Sequence, residues 1–224
     1  MNRFLNGLAR VVTETIDCPG PILEIGSYQV AGQEELAELR SLFAGKEYLG
    51  VDMRPGPGVD CVADVEALPQ KTASVGTVIA LSTFEHVPHF WKGFAEVQRV
   101  LRPDGVFLVS CPFYFHIHNY PNDYWRFTPD ALKLLLADFP NKIIGWQGPS
   151  KRPAHVWALA LGPTHTPLSG DQYRCFRALL GKCRHEPLDP ARRLRYQMAR
   201  WISGHRPFAP YLERGCWETE WVRN

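Results

Sequence analysis

Several residues able to do chemistry sit directly after short apolar runs of the chain. Glu24, Gly26 and Ser27 close the run that begins at Ile22. Asp52 and Met53 close Glu47 to Val51, Asp64 and Val65 follow Val59 to Val62, and Ser82 follows Thr77 to Leu81. A glycine at position 26 lets the backbone turn tightly and approach a ligand closely. Tyr28 stands in the same turn, where a second glycine would complete the Gly-x-Gly form of a dinucleotide site. Asp52 falls where an acid at the end of a second strand accepts hydrogen bonds from ribose hydroxyls, and Met53 offers an apolar surface to a flat ring. Asp64 can accept from an exocyclic amino group while the Val65 N–H donates to a ring nitrogen. A third acid of this kind is foreign to the dinucleotide fingerprint, which moves the reading away from NAD. The plainer alternatives are a cap and turn at Glu24 and Gly26, and a cap by Asp64 on the short turn before Pro69.

A second set gathers imidazoles. His86 lies in Leu81-Ser82-Thr83-Phe84-Glu85-His86-Val87, and the stretch Cys111 to Phe127 holds His116, His118, Asp123, Tyr124, Trp125 and Arg126. Imidazole and carboxylate can take a proton from a reacting group near neutral pH, so His86, His116, His118 and Asp123 are the candidate bases. His86 has the competing role of bonding a backbone carbonyl. Arg126 either pairs with Asp123 or clamps an acidic substrate. His116 and His118 would share a face if extended, with Cys111 close by, but the spacing matches no closed zinc set and no metal site is expected.

Such positions work only if a scaffold collects the ends of the runs. Phe4, Leu8, Val11 and Val12 predict an amphipathic helix over residues 1–16, broken by Pro19-Gly20-Pro21. Ile22 to Ile25, Glu47 to Val51, Val59 to Val62, Thr77 to Leu81 and Val106 to Ser110 read as buried strands. Helices are expected at Gln33 to Phe43, closed by Gly45, at Phe90 to Leu101, and from Thr128-Pro129 onward. Ile143 to Trp146 and Val156 to Leu161 supply two further strands. Strands alternating with helices through residue 162 imply a mostly parallel sheet covered on both faces, with ligands outside the carboxyl ends of the strands.

Composition sets the outer limits. With 45% apolar and 21% charged residues and a net charge of +2, the 224-residue chain can bury a sizeable core and is not of a disordered class. Residues 1–162 carry a net charge of −3 and residues 163–224 a net charge of +5. The first segment is expected to be the ligand-binding domain and the second a basic, mainly helical extension. In that extension Leu194, Met198, Trp201 and Ile202 form an apolar stripe beside Arg192, Arg193, Arg195 and Arg200. The stripe suits docking on the body or a second subunit, or peripheral contact with an anionic membrane. No recognised reading motif accompanies the basic residues, so nucleic acid is not an expected partner. The six cysteines form no CxxC pair, and the N-terminus has neither a long apolar run nor a small-residue cleavage site. A cytoplasmic protein with reduced thiols is therefore expected.

The ordered set resembles class I methyltransferases of the type-11-like family over roughly residues 20–140. It is carried by Leu23-Glu24-Ile25-Gly26-Ser27, the acid Asp52, Asp64 before Leu68-Pro69, Phe84-Glu85-His86-Val87, and Arg99-Val100-Leu101-Arg102-Pro103-Asp104-Gly105. The resemblance implies a Rossmann-like three-layer sandwich with a seven-stranded, mainly parallel sheet. It also implies S-adenosyl-L-methionine as the methyl donor. Glu24 and Gly26 would line its methionine part, Asp52 the ribose, Asp64 the adenine, and Ser82 the floor of the site. Three positions depart from the pattern: Tyr28 for the second glycine, Gly76 for a frequent Asp, and Asp104 for a turn glycine. The stretch from Tyr48 to Asp60 and the run Asn119 to Pro129 resemble a subset of bacterial relatives linked to surface-glycan pathways, so the acceptor is expected to be a small molecule or glycan-type. The rival readings are a catalytically silent methyltransferase-like binding protein and an NAD-dependent oxidoreductase.

Overall fold

The computed structural model describes residues 2–118, 121–183, 190–203 and 217–223. Asn119 and Tyr120 of the aromatic run and Cys216 lie outside them, as do the side chains of Arg192, Arg193 and Arg200. The elements run α1 (Arg3–Thr15), β1 (Ile22–Ile25), α2 (Glu34–Ala37), β2 (Tyr48–Asp52), β3 (Cys61–Val62), β4 (Val75–Leu81), α3 (Phe90–Val100), β5 (Leu101–Pro112), α4 (Pro129–Leu135), β6 (Asn141–Gln147), β7 (His155–Leu161), α5 (Gly170–Leu180), α6 (Pro190–Ser203) and β8 (Trp217–Arg223).

One sheet holds eight strands in the order β3-β2-β1-β4-β5-β7-β6-β8. The five strands from β3 to β5 are parallel, and β7, β6 and β8 join antiparallel. The order reverses between β1 and β4, which opens the crevice where α/β sheets bind ligands. Successive side chains of a strand point to opposite faces, and here they feed two separate cores. Leu23, Val78, Phe107 and Val109 pack with Phe94 and Val97 of α3 and Leu132 of α4 on one face. Ile22, Ile79, Leu108 and Trp157 pack with Phe4, Leu5 and Leu8 of α1 and Phe176 and Leu180 of α5 on the other. This is the expected three-layer sandwich.

Local chemistry explains the element ends. Asn2 caps α1 by accepting from the Leu5 N–H, and Thr128 caps α4 with Pro129 at the first helical position. Ser169 and Gln172 form a capping box on α5.

Three expectations are corrected. The sheet has eight strands, not seven: Trp217-Glu218-Thr219-Glu220-Trp221-Val222-Arg223 adds an edge strand from the extension, so the extension is not only helical. Trp217 and Trp221 pack on the second core, and the Trp221 indole N–H donates to Asn141 at 2.8 Å. The helix expected over Gln33 to Phe43 is two short pieces, α2 and a 3-10 turn at Arg40–Phe43. The Glu38 carboxylate accepts from the Ser41 N–H and hydroxyl, in competition with the helix's own backbone bonds. Strand five begins at Leu101 rather than Val106, because the chain at Leu101 already pairs with Val75 before a register shift.

Candidate functional site

A cavity of ≈ 630 Å³ opens at the carboxyl ends of β1, β2 and β4. All nine positions singled out after the strands line it. Gly26 has φ +80°, and a Cβ there would lie 2.3 Å from Thr83 Oγ1, so both backbone conformation and space demand glycine. Beside it the buried Ser27 hydroxyl has no hydrogen-bond partner among the described residues. Asp52, at the end of β2, accepts from the Arg54 N–H at 3.0 Å and the Tyr28 N–H at 3.4 Å. A carboxylate has about four acceptor sites, so capacity remains for a ligand. Met53 is exposed on the same wall. Asp64 does cap the turn, accepting from the Glu66 N–H at 2.9 Å, and it faces the cavity next to Val65. Ser82 holds φ +57°, a conformation that costs a non-glycine residue on the order of 1–3 kcal/mol and is concentrated at functional sites.

The Tyr28 departure has a structural counterpart. The Arg54 guanidinium lies 4.6 Å over the Tyr28 ring, and a Cβ on Gly56 would meet that ring at 2.2 Å. The Gln29 N–H donates to the Pro57 carbonyl at 2.9 Å. The Arg54-Pro55-Gly56-Pro57-Gly58 segment thus packs on the aromatic ring. Deeper in, Glu24 accepts from the Tyr48 hydroxyl at 2.7 Å. Burial pushes its carboxyl up to about 7, against the pull of that hydrogen bond and of Arg40.

The far end of the cavity collects the imidazoles. His86, His116 and His118 all line it, although they come from two separate segments. His116 and His118 lie on an irregular stretch, not a strand, with ring centroids 6.1 Å apart. The rings of His86 and His118 meet edge to face at 4.9 Å. His86 Nδ1 bonds the Asn122 carbonyl at 2.5 Å, the plainer role foreseen for it. Burial lowers its pKa, partly countered by that carbonyl. Asp123 does not line this cavity. Its buried carboxylate receives His118 Nδ1 at 3.0 Å and the His118 backbone N–H at 2.9 Å. Arg126 grips the same carboxylate through both terminal nitrogens. Burial opposes ionisation of Asp123, but these donors hold it well below the usual carboxylate range.

Other lining residues had no assigned role in the sequence. Glu85, between Phe84 and His86, is fully buried with neither carboxylate oxygen bonded among the described residues. Its main-chain carbonyl accepts from the Tyr124 and Trp125 N–H groups, fixing the aromatic run above it. Its place in the Phe84-Glu85-His86-Val87 segment is the signal that the sequence offers for it. Asn2 and His155 arrive from α1 and β7, whose ends reach the cavity only in the folded sheet. Adjoining it is a second cleft of ≈ 370 Å³, lined by Tyr114, Phe115, Ile117, Asp123, Tyr124 and Arg126.

Residues 23–109 match the model of a methyltransferase domain family. No curated protein matches the chain in sequence. Among solved structures, the methyltransferase of the Haloferax volcanii complex with the Trm112 methyltransferase activator is similar at 15% identity and TM-score 0.52, over 74% of this chain and 92% of that one. The 1,6-didemethyltoxoflavin-N1-methyltransferase of Burkholderia thailandensis, with 1,6-didemethyltoxoflavin and S-adenosylhomocysteine bound, is similar at 18% identity and TM-score 0.53, over 71% and 78%. An S-adenosylmethionine-dependent methyltransferase of Thermotoga maritima is similar at 18% identity and TM-score 0.50, over 71% and 89%.

Proposed function

We propose that this chain is an S-adenosylmethionine-dependent methyltransferase that holds its methyl donor along the Glu24–Ser82 wall of the cavity and receives a hydroxyl-bearing small-molecule or glycan-type acceptor at the histidine end. The observation that carries the reading is the continuity of one cavity from Asp52 to His118. Its volume falls within the ~300–1,000 Å³ of small-molecule sites. The residues present fit an adenosyl sulfonium: Asp52 keeps acceptor capacity for ribose hydroxyls, and Ser27 offers a buried, unbonded hydroxyl. Glu24 would take the methionine amino group, Asp64 and Val65 the adenine edge, and Met53 the ring face. Gly26, Tyr28 and Ser82 shape the floor.

When bound, the donor supplies an electrophilic methyl carbon. The chain's own task is to align an acceptor with that carbon and to dispose of the acceptor's proton. The corner where His86 and His118 meet is where the acceptor would lose that proton, with His116 at its rim. Asp123, gripped by Arg126, acts through His118 as a positioning residue. Support for a ring-bearing acceptor comes from the second cleft, where Tyr114 and Tyr124 stand exposed beside Phe115, which the two cavities share. Flat aromatic faces suit the apolar faces of sugar or heterocyclic rings.

The test is isothermal titration of ligand-free protein with S-adenosylmethionine, S-adenosylhomocysteine and NAD. Micromolar-range binding of the first two and none of NAD is expected. Asp52→Ala should weaken binding by about 1–3 kcal/mol, the scale for hydrogen bonds to a charged group. No binding of S-adenosylmethionine or S-adenosylhomocysteine would favour the silent-scaffold reading, and binding of NAD alone an oxidoreductase.

For the extension, we propose peripheral contact with an anionic membrane. Leu194, Met198, Trp201 and Ile202 of α6 are all exposed, and residues 190–203 carry four arginines and no acid.

A further inference from the structure

We propose that Glu85, His86 and His118 bind one divalent transition-metal ion at the acceptor end of the cavity. The proposal rests on the acceptor site lying there and says how that corner handles the proton. One ligand atom from each of the three residues falls within 4.8 Å of the other two. His86 Nε2 stands 3.7 Å from Glu85 Oε1, a separation that one ion between them can bridge.

Three features make this more than a chance cluster. First, Glu85 is wholly buried and neither carboxylate oxygen has a hydrogen-bond partner among the described residues. Buried polar atoms normally have partners, and a cation held by the neighbouring imidazoles would supply one to these oxygens. Second, both rings are anchored at Nδ1, His86 on the Asn122 carbonyl and His118 on the Asp123 carboxylate. An outer carbonyl or carboxylate on the far ring nitrogen is how proteins orient a metal-bound histidine. Third, the outer shell is itself fixed, since Arg126 holds Asp123 by two bonds.

Two imidazoles and one carboxylate form the donor set of catalytic zinc sites that keep a position open, and it is shared by other first-row divalent ions. The chemistry needed here is Lewis-acidic and involves no change of oxidation state. An acceptor hydroxyl in the open position would lose its proton to solvent as the ion lowers its pKa. The oxygen's electron pair then forms the O–CH₃ bond, and the C–S bond breaks with its electrons going to sulfur. One hydroxyl and one sulfonium give one methyl ether, one thioether and one proton.

The test uses the full chain, stripped with a chelator and titrated with Zn²⁺ by calorimetry, in parallel with S-adenosylhomocysteine. One Zn²⁺ per chain is expected, with affinity falling at least tenfold in His118→Ala and in Glu85→Gln. Asp123→Asn touches no ion but should weaken Zn²⁺ by about 10–100-fold, because it frees the His118 ring. S-adenosylhomocysteine affinity should stay within about threefold of the parent in His118→Ala. Absence of Zn²⁺ binding to the parent, or equal binding by the parent and His118→Ala as thiol sites elsewhere would give, overturns the proposal. Loss of S-adenosylhomocysteine binding in the parent instead overturns the donor-site reading and leaves the zinc result to be judged alone.

Discussion

At Glu24 two demands meet: the carboxyl is buried against Tyr48, and it is the acid proposed above to take the methionine amino group. Its folded pKa is raised from the ordinary 4.5 to about 7, chiefly by burial. The folded state therefore holds this proton more tightly than the unfolded chain. The stability it contributes is fully present below about pH 4.5 and is lost as pH rises through 7. Glu24→Gln keeps the size and the bond from Tyr48 without titrating. Between pH 5 and pH 8 its Tm should fall less than that of the parent, by about 5–10 °C, because a proton held at about 7 rather than 4.5 is worth roughly 2.5 kcal/mol over that range and each kcal/mol moves Tm by about 2–4 °C in a chain this long. Equal slopes in scanning calorimetry at the two pH values would remove Glu24 as a titrating group. Asp123 shows the opposite balance, because Arg126 and His118 outweigh burial there. The two acids thus differ in charge state because burial prevails at Glu24 and the charged and N–H donors prevail at Asp123.

Among the elements, the turn at Pro19-Gly20-Pro21 and the start of β4 decide what residue 76 can be. A Cβ on Gly76 would fall 2.3 Å from the Pro19 carbonyl oxygen and 2.6 Å from that of Gly20. The Asp frequent in the resembling family has no room here. Gly76→Asp should destabilise the fold by about 1–3 kcal/mol, the range for forcing extra atoms into packed structure. A lower urea midpoint with unchanged slope would show it, and an unchanged midpoint would mean that the turn yields freely. The turn after β1 and the loop after β2 are coupled in the same way. Tyr28 supplies the surface that a glycine would not, and Arg54 and Gly56 pack on it. The altered glycine turn therefore rebuilds the wall next to Asp52 and leaves the cavity open.

Across the whole molecule, charge and shape separate. The sheet and its two cores hold the cavity, and β8 ties the extension to the sheet edge through β6. No helix of the described residues is long and apolar enough to cross a membrane. Contact by α6 would therefore be peripheral and salt-dependent. The full chain should pellet with vesicles containing anionic lipid at low salt, and neither with neutral vesicles nor after deletion of residues 190–203. Failure to pellet, with concentration-dependent dimerisation abolished by the same deletion, would assign the stripe to a second copy of the chain.

By itself the sequence determined the sandwich, the strand ends and the residues that line one wall of the cavity, because apolar runs, turn residues and the acids after them are local patterns. Asp52, Asp64 and Gly26 were legible for that reason. The alternation of Trp217 to Arg223 carried the signal for an eighth strand, but its partner, β6, lies some 70 residues earlier in the chain. Only the tertiary structure decided which imidazoles meet. His86 and His118 are 32 residues apart, so their spacing encodes no ligand pattern. Their approach, the grip of Arg126 on Asp123 and the isolation of Glu85 are set by packing two loops over the same strand ends, a long-range outcome that no local period records.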